Sequence, residues 1–351
     1  MLKKKMPKKA VPLKDLLHTG STLLNLACSG KAIGGFAKGM YYLLVGDSAS
    51  GKTFLSLTCF AEACKNKHFD DYRLIYDNSE NGALMDIDKF FGVKVGARME
   101  APSLDENKDS AFSHTIEEFY YHIDDAIKDG RPFIYVLDSI DSLSSEEEGA
   151  KFEQRKEAYR KGKDAPGSYT DGKAKKNASN IRRLLSHLRK TGSILIIINQ
   201  TRDNIGFGFE KKTRSGGWAL EFYACLIIWS SIKQKIKKTV KGKPRQLGIL
   251  ANVRTKKNRL TGRDRSITMP IYHSCGIDDV GSCVDYLVEE GHWKKGKSKI
   301  QAPEFELEGD RDTLIKHIEK EGMEKDLALV VEEVWNSIEE ACKVQRKKRY
   351  E

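Results

Sequence analysis

The chain has 351 residues, of which 32% are charged, and a formal net charge of +11. No apolar run approaches a bilayer span, the Lys-rich start lacks the apolar stretch of a secretory signal, and the seven cysteines show neither a Cys-x-x-Cys pair nor a zinc spacing. Those absences argue against membrane, secreted disulfide-stapled and zinc-module classes. The expectation is a soluble intracellular protein with reduced, mostly buried thiols, long enough for one large α/β domain and an appendage. Its basic surface suits a polyanionic partner.

Met1–Lys14 carries six lysines and few apolar residues, which predicts a short basic arm. Leu16, Leu17, Leu23, Leu24 and Leu26 predict an amphipathic turn and helix reaching Cys28. The apolar run Met40–Val45 predicts a strand, and the pattern from Phe54 to about Lys67 a helix. Arg73–Asp77 reads as a second strand, followed by the polar turn 78–82 and a helix to about Phe91. Ser110–Asp129 has helical spacing through Phe112, Ile116, Phe119, Tyr120, Ile123 and Ile127. Pro132–Ser139 and Ser193–Asn199 are continuous apolar runs ending in polar residues, as strands covered on both faces are.

Between them lies Ser144–Lys176, in which 16 of 33 residues are charged. It predicts an exposed excursion that contributes nothing to a core. A helix through Ile181, Leu184, Leu185 and Leu188 follows it. Thr201–Ser215 reads as a second basic loop. The sheet continues with Ala224–Trp229, Leu247–Val253 and Ser266–Ile271, with Gly242-Lys243-Pro244 as a hairpin turn. After Cys275 the pattern turns helical, with Val331, Val334, Trp335, Ile338 and Cys342 as a packing stripe. Alternating strands and helices predict an α/β fold with a mainly parallel sheet.

The stretch that organises the chain is Gly46-Asp47-Ser48-Ala49-Ser50-Gly51-Lys52-Thr53, set between a predicted strand and a predicted helix. In that context Gly-x4-Gly-Lys-Thr is a phosphate cradle. Gly46 and Gly51 leave the backbone bare, so N–H groups can converge on phosphate oxygens, and the helix N-terminus adds its positive end. Lys52 places a cation on the β- and γ-phosphates, and Thr53 offers a hydroxyl to Mg²⁺. Asp138, at a strand end, is the candidate support for that magnesium. Glu80 is the candidate for orienting the attacking water, with Asp77 as the alternative. Gln200 stands after a strand, where it can reach a γ-phosphate and report to the loop that follows. In that loop Arg202, Lys211, Lys212 and Arg214 can meet phosphates, while Ile205, Phe207 and Phe209 can contact bases.

These residues resemble the RecA family of DNA recombinases, its UvsX-like phage branch included, over roughly Leu17 to Trp293. The resemblance rests on the lead-in Thr19-Gly20-Ser21 and Gly34-Gly35-Phe36, and on Ile198-Asn199-Gln200-Thr201-Arg202-x-Asn204-Ile205-Gly206. It also rests on Ser215-Gly216-Gly217-x-Ala219-Leu220-Glu221-Phe222-Tyr223-Ala224 and on His273-Ser274-Cys275-Gly276-Ile277 with Gly291-His292-Trp293. It implies a RecA-like ATPase core over 18–293, a basic arm over 1–17 and a small helical C-terminal region over 294–351. It further implies DNA-binding loops near 144–176 and 200–216, including Gly216 and Gly217, with Arg202 on the DNA backbone and Ile205 wedged between base triplets. Lys257 and Arg259 resemble the basic pair that reaches ATP on a neighbouring subunit.

The function so implied is ATP- and Mg²⁺-dependent recombination and repair in a bacterial or phage-infected cytoplasm. The protein would form filaments on single-stranded DNA, pair them with homologous duplex DNA and exchange strands, with loading and single-strand-binding proteins as possible partners. A ring helicase of the same fold and a DNA-binding mediator are the alternatives; the first would unwind directionally, the second would have lost Lys52 or Glu80. Three departures stand out. The segment before the match is short, the two acids of Asp77-Asn78-Ser79-Glu80 are one residue further apart than the family's Asp-x-Glu, and the 144–176 stretch is long.

Overall fold

The computed structural model describes residues 11–82, 85–162, 172–203, 212–214, 217–347 and 349; the side chains of 172, 202, 203 and 212–214 are not among what is described. Near its start, helix α1 (Thr22–Ser29) is opened by Ser21, whose hydroxyl accepts the Leu24 N–H. Strand β1 (Tyr41–Gly46) is buried at every position and leads through the glycine-rich loop into α2 (Lys52–Lys65). Strand β2 (Arg73–Asp77) follows, then the short helices α3 (Ile87–Phe91) and α4 (Val93–Arg98) and the edge strand β3 (Met99–Glu100).

Helix α5 (Ile116–Asp129) starts later than its apolar spacing predicts. Thr115 and Glu118 form a capping box that sets the first turn, and Ser110–Ala111 pairs with Ser103–Leu104 as a small hairpin. Strand β4 (Phe133–Leu137) is wholly buried. The charged excursion is then corrected: Glu146–Arg160 forms helix α6, again begun by a capping box, Ser145 with Glu148. None of its residues is buried, so the expectation that it adds no core stands. Gly172–Lys176 belongs to helix α7 (Gly172–Thr191).

Strand β5 (Ile194–Asp203) runs past the predicted end at Asn199, because β6 (Lys212–Arg214) folds back and pairs Thr213 with Arg202. Helix α8 (Trp218–Tyr223) leads to a long hairpin, β7 (Leu226–Val240) and β8 (Lys243–Asn258), turning at Lys241-Gly242. β9 (Ser266–Tyr272), β10 (Gly276–Ile277) and α9 (Asp279–Glu289) follow. The C-terminal stretch is not purely helical: β11 (Lys294–Lys295), β12 (Ile300–Ala302) and β13 (Leu307–Gly309) form a small antiparallel sheet before α10 (Arg311–Glu321) and α11 (Glu324–Ala341). Leu16-Leu17, read from sequence as part of a helix, instead pairs with Phe36-Ala37.

The large sheet has the order β10-β9-β8-β7-β1-β5-β4-β2-β3, with β6 attached to β5. From β7 through β1, β5, β4, β2 and β3 the neighbours are parallel; the β7–β10 side is antiparallel. Alternate residues of the central parallel strands feed two cores. Tyr42 and Leu44 pack with α1, α2, α9 and α11, whereas Tyr41, Leu43 and Val45 pack with α5, α7 and α8. Covering both faces explains why the central strands are apolar at every position. None of the helices described is long and apolar enough to cross a membrane.

Candidate phosphate site and its link to a basic ribbon

Register places the candidate residues together. Gly46 lies beside Gln200, Leu137 beside Ile197 and Asp77 beside Leu137, so β1, β4 and β2 end at one edge of the sheet while β5 runs on past them. Loops leaving that edge form the crevice in which open α/β sheets bind ligands.

The loop 47–51 is shaped by close approach as much as by backbone freedom. A side chain at Gly46 would bring its Cβ to 2.1 Å from the Ser230 carbonyl oxygen on β7. Gly51, at φ +90°, would bring one to 2.3 Å from Ile271 on β9. Ser50 donates its hydroxyl to the Asp47 carbonyl at 2.8 Å, and Ser230 donates to the Ser50 carbonyl at 2.7 Å. Ala49 holds the left-handed conformation at φ 57°. Between Asp47 and Ala49, Ser48 is exposed.

Lys52 is the first residue of α2, and its ammonium donates to the carbonyls of Gly46 at 2.9 Å and Asp47 at 2.6 Å. Burial lowers its pKa, and Asp138, Glu80, Asp47 and Asp141 push it back up. The carboxylates around Lys52 thus favour its charged form against the penalty of burial. Thr53 donates its hydroxyl to Asp138 Oδ2 at 2.6 Å. Tyr76 donates to the same oxygen at 3.0 Å from β2. Asp138 is itself buried, which raises its pKa, while the Thr53 and Tyr76 donors oppose that rise. A hydroxyl and a carboxylate beside a phosphate cradle form an oxygen donor set that fits Mg²⁺.

The two acids after β2 separate cleanly. Asp77 is fully buried and its carboxylate accepts from the Ser113 N–H, the Ser113 hydroxyl and the Tyr135 hydroxyl. It is a structural acceptor. Glu80 is exposed; its N–H donates to the Asp138 carbonyl, and its Oε1 accepts from the Ser139 hydroxyl and from Gln200 Nε2, the latter at 2.7 Å. The Gln200 N–H in turn donates to Asp141 at 2.5 Å. Gln200 therefore touches the exposed acid while sitting on the strand that becomes the β5–β6 ribbon.

Of the DNA-facing candidates, Arg202, Lys212 and Arg214 lie on the backbone of that ribbon, and Gly217 immediately precedes α8. Ile205, Phe207, Phe209, Lys211 and Gly216 lie outside the described residues. Lys257 and Arg259 sit elsewhere. Lys257 donates to the Glu221 and Phe222 carbonyls at 2.6 and 2.8 Å, and Arg259 to the Phe222 carbonyl at 2.5 Å, so both cap the C-terminus of α8. Lys257 pairs across to Ile227 and thence to Leu43, toward the end of β1 opposite the phosphate loop.

Tyr76, Ser139, Asp141 and Thr201, which donates to the Asp47 carboxylate, were not singled out from sequence. Ser139 had a signal, since it follows Asp138 at a strand end. The others had none, because their partners lie 59 to 154 residues away.

The chain is similar to proteins of known family. The family described as the RecA N-terminal domain matches residues 156–278. Protein RecA of Thermus thermophilus is 26% identical over 308 residues, covering 86% of this chain and 79% of the relative. Protein RecA of Caulobacter sp. (strain K31) is 27% identical over 325 residues, covering 91% and 80%. A plasmid Protein RecA of Lactococcus lactis subsp. lactis is 30% identical over 220 residues, covering 62% and 55%.

Proposed function

Because the chain belongs to the RecA family, we propose that it is a DNA-dependent ATPase that assembles on single-stranded DNA and promotes homologous pairing and strand exchange. The observation that carries this reading is the Glu80–Gln200 hydrogen bond. It joins the acid best situated for hydrolysis to the strand that becomes the basic ribbon. Nucleotide chemistry and DNA contact then share one side chain.

In this reading the loop amides, Lys52 and the N-terminus of α2 would hold the triphosphate of ATP. Thr53 and Asp138 would hold Mg²⁺, which supplies charge neutralisation at the phosphates. Glu80 orients the attacking water and accepts its proton, and Ser139 and Gln200 keep its Oε1 aimed. Lys257 and Arg259, which donate to the carbonyls at the end of α8, would be the residues to reach a neighbouring subunit's nucleotide. The ribbon residues Arg202, Lys212 and Arg214, together with Lys211, which precedes the strand in sequence, would neutralise the DNA backbone, with Ile205 as the wedge.

A second basic surface supports a role with two DNA molecules. β7 pairs with β1 only over Leu226–Ser230, and β8 with β9 over Gly248–Arg254, so 237–246 is a two-stranded ribbon extending past the sheet. Residues 231–247 carry Lys233, Lys235, Lys237, Lys238, Lys241, Lys243 and Arg245, with no carboxylate among them. All seven cations are exposed.

Electron microscopy with single-stranded DNA and a slowly hydrolysed ATP analogue, beside an ATPase assay, tests the reading. Helical filaments and DNA-stimulated turnover are expected. Closed rings with directional unwinding would replace the recombinase reading with a motor.

A further inference from the structure

Asp47 occupies a variable position of the phosphate loop, yet it is wired on both sides. Its carbonyl accepts from the Lys52 ammonium at 2.6 Å and from the Ser50 hydroxyl at 2.8 Å. Its carboxylate accepts the hydroxyl of Thr201, 154 residues away. Thr201 is the residue after Gln200 on β5, and it pairs with Arg214 of β6.

The location gives this bond its meaning. β1 ends at Gly46, opposite Gln200, so Thr201 is the first residue of β5 without a β1 partner. From there β6 alone continues the pairing described for β5. The Asp47–Thr201 bond therefore lies where the rigid sheet passes into the basic ribbon. Beside it, a cavity of about 200 Å³ is lined by Asp47 and Thr201 together with Trp229, Asn252, Arg254 and Lys256. The root of the ribbon therefore borders open space, where hydrogen bonds can be exchanged when the loop shifts.

We propose that Asp47 and Thr201 form a second coupling point, separate from Gln200, through which movement of the phosphate loop repositions the DNA-facing ribbon. Thr201 is a positioning residue here, acting through Asp47. The physical sequence is short. A phosphate group bound by Lys52 competes for the ammonium that now donates to the Asp47 carbonyl. The loop adjusts around Asp47, and the carboxylate carries Thr201 and the Thr201–Arg214 pair with it. Gln200 senses the same site through Glu80, so the ribbon stem receives two inputs on adjacent residues. The charge of Asp47 makes its bond stronger than a neutral one, as a mechanical link needs. This inference rests on the nucleotide- and DNA-binding reading above.

The test is a linkage measurement on the full-length protein. Affinity for a fluorescent single-stranded oligonucleotide is measured without nucleotide and with a slowly hydrolysed ATP analogue, and the ratio is the coupling. Thr201→Val removes the hydroxyl and keeps the shape; it should lower the ratio by about threefold or more, a part of a total coupling that is typically about 5- to 150-fold. Thr201→Ser restores the donor and should restore most of the ratio. Asp47→Ala should lower it too, and the Asp47→Ala/Thr201→Val pair should lose no more than the larger single effect. A ratio in Thr201→Val equal to or above wild type, with both proteins folded by circular dichroism, overturns the inference while leaving the recombinase reading intact. Failure of Thr201→Ser to recover the ratio overturns it as well. A wild-type protein that binds DNA identically with and without nucleotide would sink both.

Discussion

The strand-end crevice and the β7–β8 ribbon treat charge in opposite ways. In the crevice, charged and polar side chains are partly or wholly out of water and tied to one another: Lys52 to two carbonyls, Asp138 to Thr53 and Tyr76, Glu80 to Ser139 and Gln200. On the ribbon and the strand segments leading into it, residues 231–247, seven cations stand in solvent without a carboxylate in the same stretch. Burial makes each crevice group depend on its neighbours, so single substitutions there act strongly and specifically. Exposure makes the ribbon cations nearly independent, so their effects are small, additive and sensitive to salt. In the proposed reading, one region would do chemistry at a point and the other would attract DNA over a surface.

Lys52→Ala should produce the largest change. It removes the side-chain cation placed in the cradle, and ATP turnover should fall by at least about 100-fold, read in a DNA-stimulated ATPase assay. Retention of full activity would dissolve the contrast between the two regions. Glu80→Gln comes next: ATP binding and assembly on DNA persist, while turnover drops about 100-fold. Its counterpart Asp77→Asn separates the two acids. Asp77 is buried with three donors, so neutralising it should cost about 2 kcal/mol of stability in a denaturant titration. If Asp77→Asn were as stable as wild type and had the turnover defect instead, the roles assigned to the two acids would be exchanged.

The smallest single-site effects belong to the ribbon. Replacing Lys235, Lys237, Lys238 and Lys243 with alanine together should weaken duplex DNA binding only a few-fold at physiological salt. The slope of log affinity against log salt should flatten by about 0.9 for each phosphate that is no longer neutralised. A defect concentrated in one lysine, with no change in slope, would mean that the ribbon too holds a buried, cooperative site.

Much of the fold and part of the crevice were legible in the residues themselves. Continuous apolar runs marked β1, β4 and β5 because both faces of those strands are covered, and Gly-x4-Gly-Lys-Thr marked the loop because few residue types tolerate its backbone. Lys52 and Thr53 followed from that motif, and Asp138 and Glu80 from their places just after strands, which are local properties. Capping boxes at Thr115 and Ser145 were equally local; apolar spacing hid the first, and the density of charge around the second outweighed it.

Tertiary structure decided what depended on distant partners. Which acid after β2 remains exposed was settled by Ser113 and Tyr135, brought to Asp77 by α5 and β4. The extension of β5 to Asp203 was settled by β6, since a strand edge pairs with whatever the chain returns to it. Tyr76 met Asp138, and Asp47 met Thr201, only because parallel register aligned the ends of separate strands. Local pattern determines which residues can form a strand, a cradle or a cap, because those depend on backbone conformation and spacing. Partnership across the sheet depends on register and order, and these are set by packing of the whole core.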